Sequence, residues 1–379
     1  MNGMNLLGVY EKIFMVAAVG IMMLTASCAS DKEQLLDPAE IKTPIEFASS
    51  DNRTKGYNEL NYERIRDLKF GLFAYTQDYY PYLENNGVEY VSSSGTTNHW
   101  RCDPAAYWPF QTPLNFFAYA PFCENVKKKE GSTEDPFVLF PAEDYVTGMP
   151  RLRYTPNTHV TDQYDFCVAV PCLDRTAADG AVHLVFHHTL TRIRFYVNLK
   201  GVKEPLYDYK VTDLIIRGIE GSKILTFKDN EQRPYEWDAT DLSSPKTGEY
   251  HLTLADSELT TDTLKFVKNP PDEPTSVESC YTYVNSLLNG RLYLLPQTLT
   301  SDAEVEIAVS IFLKGNKEEL VSMLPPFIVS LPESTVWEAE KTVGYLMTLD
   351  IENITETTIQ AQSEDWVNSD NDHNQETLE

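Results

Sequence analysis

Residues 181–200 read AVHLVFHHTLTRIRFYVNLK, and their alternation decides the fold class. Val182, Leu184 and Phe186 share one side of an extended chain. After His187-His188, the run Ile193, Phe195, Val197 and Leu199 repeats the pattern. A period of two sends successive side chains to opposite faces, as in a strand with one face in a core, and it does not match the 3.6-residue repeat of an amphipathic helix. Elsewhere the chain is built the same way. Ile41, Ile45 and Phe47 fall four and two apart, and the runs 70–75 and 114–120 (the latter stopped by Pro121) read as buried strands. Further strands are predicted at 211–216, 223–227, 249–254, 290–295, 305–312, 326–331 and 343–351, with helices only at 57–68 and 281–288. Many short strands separated by Pro and Asn/Gly clusters predict an all-β protein of antiparallel sandwiches.

A polar break at 172–181, with Asp174, Arg175, Asp179 and Gly180, divides the strands into two domains, residues 28–180 and 181–366. Surface loops are expected at 127–132 and 269–274, and a polar, acidic tail at 367–379. The net charge of −26 repels nucleic acid and anionic lipid headgroups and argues against polyanionic substrates.

Ahead of the first domain, the apolar run 13–26 leads through Leu24-Thr25-Ala26-Ser27 to Cys28, then to the polar Asp31-Lys32-Glu33-Gln34. The run is too short for a bilayer, which needs roughly 20 residues, and it has the length of an export signal. Small residues before Cys28 make residues 1–27 resemble a bacterial lipoprotein signal, with Cys28 as the acylated first residue. Ordinary cleavage near Ala26 and an uncleaved anchor are the alternatives. Of six cysteines, Cys102, Cys123, Cys167, Cys172 and Cys280 then remain, with no CxxC or Cys/His spacing for a metal. Cys167, in the apolar run 166–170, reads as a small buried hydrophobe.

No residue pattern here points to catalysis. His187 and His188 face opposite sides of a strand and cannot chelate one ion together. No acidic residue or cysteine stands at ligand spacing beside them, so a structural histidine is expected. GxSxG, HExxH, Walker A and GxGxxG are absent. The aromatics Trp100, Tyr107, Trp108, Phe116, Phe117 and Tyr119 suit strand packing before any sugar-stacking platform.

Taken in order, these segments resemble the fimbrillin family of lipoprotein pilus subunits, the Mfa-like group of type V pili. The likeness rests on Ile45-Glu46-Phe47, Arg53, the strand 70–75, Trp100, and Tyr107-Trp108-Pro109 leading into 114–121. It continues through Phe186, His188, Leu190, Arg192, Ile193, Phe195 and Val197, then Pro296-Gln297-Thr298-Leu299, Trp337, Lys341, Tyr345 and Trp366. The resemblance implies two transthyretin-like antiparallel Greek-key β-sandwich domains in tandem, and no cofactor or enzyme activity. It further implies an outer-membrane lipoprotein assembled into a surface fimbria, serving adhesion to a host protein or glycan. An arginine-specific protease would remove the first strand with its lipid anchor. The vacated groove would accept a strand from another fimbrial subunit or a second copy.

The residues suit that scheme on their own. Residues 41–47 alternate as a core-filling strand, and the polar stretch 49–56 after it, holding Arg53, reads as a protease-accessible loop. Lys55, Arg64 and Arg66 are the other basic sites nearby. Tyr345, Met347, Leu349 and Ile351 share a face and make the expected donor strand, although they could equally close their own sandwich; a second alternation, Ile359 and Ala361, leads to Trp366. Two other function classes compete: a non-polymerising surface lipoprotein that binds glycans, and a glycoside hydrolase with two separated carboxylates.

Overall fold

Alternating apolar residues become strands almost throughout the computed structural model. It describes residues 42–50, 62–91, 99–124, 137–140, 148–158, 160, 163–201, 207–238, 247–253, 282–283, 292–313, 320–353 and 357–365. The chain divides into residues 1–43 and 44–379, and the described strands belong to the second unit. The helical elements with described bounds are α1 (Tyr62–Leu68) and a 3-10 turn (Ala177–Asp179).

The first nine strands are β1 (Glu46–Ser50), β2 (Phe70–Thr76), β3 (Pro81–Val91), β4 (His99–Asp103), β5 (Leu114–Ala120), β6 (Phe137–Phe140), β7 (Arg151–Tyr154), β8 (Cys167–Ala169) and β9 (Cys172–Arg175). Next come β10 (Val182–His188), β11 (Thr191–Lys200), β12 (Tyr207–Glu220), β13 (Lys223–Phe227), β14 (Tyr235–Asp238), β15 (Thr247–Thr253) and β16 (Thr282–Tyr283). The remainder are β17 (Leu292–Leu294), β18 (Gln297–Thr298), β19 (Glu304–Leu313), β20 (Leu320–Met323), β21 (Phe327–Ser330), β22 (Val336–Trp337), β23 (Lys341–Asp350) and β24 (Thr358–Asp365).

An eight-stranded sheet runs β2-β3-β4-β1-β10-β8-β5-β9, and β5 also pairs with β2. That last pairing closes the sheet on itself, with β9 as a branch on β5. Ile45, Phe47, Phe70, Leu72, Trp100 and Phe116 fill its inside. The outward residues Phe73 and Tyr75 of β2, with Phe117 and Tyr119 of β5, pack against a second sheet, β14-β13-β7-β6, through Leu152 and Phe227. Burial on both faces is why β2 and β5 read as unbroken apolar runs.

Two more sheets share the largest core. In one, β16-β11-β23-β24 run side by side, with β17 also on β11; in the other, β15-β12-β19-β20, with β21 also on β19. Phe195, Tyr345 and Met347 of the first meet Leu214, Ile307 and Val309 of the second. Each large apolar side chain so buried contributes roughly 1.5–3 kcal/mol.

Four expectations are corrected. The pairing is not uniformly antiparallel: β1 runs parallel to β10, and β11 parallel to β23. Hairpins force neighbours antiparallel, but strands joined by long excursions are free of that constraint. The division at 180/181 does not separate the sheets, because β10 belongs to the closed sheet and β13 and β14 pair with β7. The polar break there is a tight turn, in which Thr176 and Asp179 form a capping box around the 3-10 turn and return the chain from β9 to β10. The helix predicted over 57–68 is shorter and covers Tyr62–Leu68, with 57–61 outside the described residues. Thr282 and Tyr283, expected in a helix, pair with β11 as β16, and the rest of that segment lies outside the described residues.

Within the large core, Trp337 Nε1–H donates to Tyr345 Oη at 2.7 Å, and Tyr345 stacks on Phe195 with ring centroids 5.5 Å apart. Removing the acceptor strands a buried indole N–H, which costs about 1–3 kcal/mol. Tyr345→Phe is therefore expected to lower the unfolding free energy by that amount, read as a lower denaturation midpoint with the denaturant slope unchanged.

Candidate strand-exchange site

Although short, β1 holds a mid-sheet position. Phe47 lies in register with Trp100 of β4 on its antiparallel side and with Val182 of β10 on its parallel side. Ile45 and Phe47 turn inward at 2% and 3% exposure, as the two-residue period requires. Phe47 meets Phe70 and Phe116 edge-to-face, with centroids 6.1 and 6.0 Å apart. Such pairs add about 0.5–1.5 kcal/mol each to the burial of area. The lead-in is tied down as well: Ile45 N–H donates to the Ala106 carbonyl at 2.9 Å, and Pro44 bridges to Tyr107.

Because β1 precedes every other described strand, it is the one stave of the closed sheet that a single cut beyond it would free. Its loss would expose the backbone edges of β4 and β10 and uncover Phe70, Trp100 and Phe116. An unpaired edge beside apolar surface is a template for another strand. On the outer face, Glu46 stands in register with Arg101, which pairs with Glu89 at 3.0 Å, while Lys69 reaches Glu89 at 3.2 Å. Hydrogen bonds from Arg101 and Lys69 hold the Glu89 carboxyl below the usual carboxylate range. Inside the sheet, burial pushes the Cys102 thiol up to about 12.

Cys28 and Arg53 lie outside the described residues, as do Lys55 and Trp366. Arg64 and Arg66 fall in α1, where Arg66 lies 3.9 Å over the Tyr90 ring; a protease must unwind a helix before cutting it. Tyr345, Met347 and Leu349 face inward on β23, and Ile351 packs half-buried beside them. In this chain β23 is a central strand. It pairs with β11 from Arg192↔Thr342 to Lys200↔Asp350, and with β24 from Lys341↔Asp365 to Thr348↔Thr358. Among the aromatics weighed for sugar stacking, Trp100, Phe116, Phe117 and Tyr119 are core residues, and Tyr107 is the exposed one.

The two histidines do face opposite ways: His187 Nδ1 lies 3.6 Å from Glu340, and His188 hydrogen-bonds Asp165. The expectation that no acid or thiol stands at ligand spacing is corrected. Asp165, Cys167 and His188 come together across the β8–β10 ladder, where His188 is in register with Cys167. Sequence reading missed the group because its members sit on neighbouring strands joined by an intervening excursion. The one available signal was the Asp165-x-Cys167 spacing, which puts both side chains on one face.

With this geometry in hand, comparison with known proteins is decisive. The chain matches the fimbrillin-like family over residues 65–366. It belongs to that family. A crystal structure of a fimbrial protein from Bacteroides vulgatus shares its fold at a TM-score of 0.58 and 21% identity, covering 85% of this chain and 99% of that one. The fimbrial anchor protein Mfa2 from Porphyromonas gingivalis aligns more loosely, at a TM-score of 0.32 and 10% identity over 86% of this chain and 98% of its own. No curated protein matches the chain. In this fimbrillin-like chain the family match begins past β1, so the strand lies outside the shared span.

The Cys102 thiol reports whether β1 is in place. In the intact chain it is expected to resist alkylation at pH 8. In a chain lacking residues 1–53 its reactivity should rise, through freer access and a larger thiolate fraction, as read by peptide mapping after iodoacetamide.

Proposed function

We propose that this chain is a structural subunit of a cell-surface fimbria, exported as an outer-membrane lipoprotein acylated at Cys28 and assembled by exchange of a strand at the place of β1. The position of β1 carries this reading: it is N-terminal, mid-sheet, paired on both edges and inserted into a core by Ile45 and Phe47. Family membership supports the fimbrial setting. An arginine-specific protease cutting after Arg53 would remove β1 together with the lipid anchor and leave the span 65–366 whole. The opened sheet then takes a strand from another fimbrial subunit or a second copy through main-chain hydrogen bonds, with alternate side chains entering the vacated pockets.

Our donor is β23, through Tyr345, Met347, Leu349 and Ile351. Like β1, it lies parallel to one neighbour and antiparallel to the other, and its inward side chains match Ile45 and Phe47 in bulk and period. Its release opens a gap beside β11, and β24 is the neighbour placed to close it, with Ile359 and Ala361 already against the same core. A non-polymerising, glycan-binding lipoprotein is the second reading, favoured by the exposed aromatics Tyr80 and Phe110 and by Tyr82, whose hydroxyl donates to the Tyr107 carbonyl at 2.5 Å.

Digestion of the intact chain with an arginine-specific protease is expected to give a new N-terminus at Thr54 and fibres in negative-stain micrographs. Arg53→Ala should keep both from appearing. A disulfide made by Asn198→Cys with Thr348→Cys, two positions in register across β11 and β23, should abolish fibres while leaving the cut intact. Fibres in the oxidised double variant would exclude β23 as donor. A clean cut that leaves monomers would favour the glycan-binding reading.

A further inference from the structure

Asp165 and Cys167 stand two residues apart on the extended chain entering β8, and His188 ends β10 directly opposite Cys167. Their donor atoms all lie within 4.8 Å of one another. Cys167 Sγ is 3.5 Å from His188 Nδ1 and 3.6 Å from Asp165 Oδ2, and Asp165 Oδ2 hydrogen-bonds the same Nδ1. In a nucleophile–base–acid relay the imidazole uses one nitrogen for the thiol and the other for the carboxylate. Here a single nitrogen faces both, so the arrangement carries no relay. What it does carry is three different donors converging on one point.

Zinc bonded to sulfur at about 2.3 Å and to nitrogen or oxygen at about 2.0–2.2 Å, at tetrahedral angles, sets its ligand atoms roughly 3.5 Å apart. The two sulfur contacts already have that spacing. The third is a direct hydrogen bond, tighter than two ligands on one ion would be, and an entering cation would take the place of its proton. A second observation points the same way. Asp165 is fully buried, and its Oδ1 has no hydrogen-bond partner among the described residues. A buried carboxylate left half-satisfied is costly, and a divalent cation relieves it.

We infer that Asp165, Cys167 and His188 form a binding site for a thiophilic divalent cation, zinc above all. A thiolate, an imidazole and a carboxylate suit zinc and not the oxygen-seeking calcium or magnesium. The His188 side chain keeps 17% exposure, which leaves a water-accessible side for a fourth ligand. The backbone on either side is already fixed: Tyr235 Oη donates to the His188 carbonyl at 2.9 Å, Thr189 Oγ1 to the Phe166 carbonyl at 2.6 Å, and Trp237 Nε1 to the Thr189 carbonyl at 2.8 Å. A cation held here would staple β8 to the end of β10, immediately before the chain enters β11. The site is independent of strand exchange and stands whether or not the chain polymerises.

The test is titration of the intact, chelator-stripped chain with zinc by calorimetry and with cobalt by absorbance. One ion per chain is expected, with a thiolate-to-cobalt charge-transfer band in the near ultraviolet. Cys167→Ser should abolish that band although the other cysteines remain. His188→Gln should weaken zinc at least ~100-fold, since changes to groups merely supporting a ligand already cost about 10–100-fold. Absence of uptake, or uptake and a cobalt band unchanged by both substitutions, would overturn the site. Should a variant fail to fold, X-ray absorption on the zinc-loaded parent decides: one sulfur with nitrogen and oxygen neighbours supports the site, and a shell without sulfur refutes it.

Discussion

Two-edged pairing of a five-residue strand is the constraint on which the rest of this structure depends. Around Phe47, β1 closes the sheet between β4 and β10 while its inward side chains complete the core. Backbone pairing and apolar burial there are satisfied together or not at all. The strand lies at the N-terminal end of the described fold, ahead of every other described strand of the closed sheet. Such a design ties a large share of local stability to this one strand.

In pairing, the far end of the chain mirrors the near end. β1 runs parallel to β10 and antiparallel to β4, and β23 runs parallel to β11 and antiparallel to β24. Since β10 and β11 follow one another directly, the two parallel pairings meet at the short connection His188–Thr191. The backbone bonds from Tyr235, Thr189 and Trp237 converge on that connection, as does the Asp165–Cys167–His188 cluster. The region that links the two strand environments is thus also cross-braced by side chains from neighbouring elements.

Much of this was legible in the residues. Period-two runs located β1, β10, β11, β19 and β23, because one buried face is what alternation records, and unbroken apolar runs located β2 and β5, which are buried on both faces. Strand β3 is not among the predicted strands, and its Asn85-Asn86-Gly87 has the composition of a hairpin turn. In the fold Asn85 takes a φ of +54° within a continuous strand, and its amide bonds the Cys123 carbonyl and Tyr119 Oη, so the turn signal marks an irregularity in the ladder. Likewise the polar run before Ala181 looked like a linker and is a capped turn. Closure of the first sheet by β2–β5, and the sharing of a sheet by β7 and β13, depend on pairings distant in sequence that local patterning does not encode. The cation-binding cluster was hidden for the same reason, whereas the inward face of β1 could be read from Ile45 and Phe47 alone.

Hydrogen exchange, followed by mass spectrometry on the intact chain and on a chain lacking residues 1–53, tests the central role of β1 most directly. If β1 closes the sheet, amides of β4 and β10 lose protection when it is absent, while those of β11 and β23 keep theirs. Equal protection of β4 and β10 in the two chains would contradict the account.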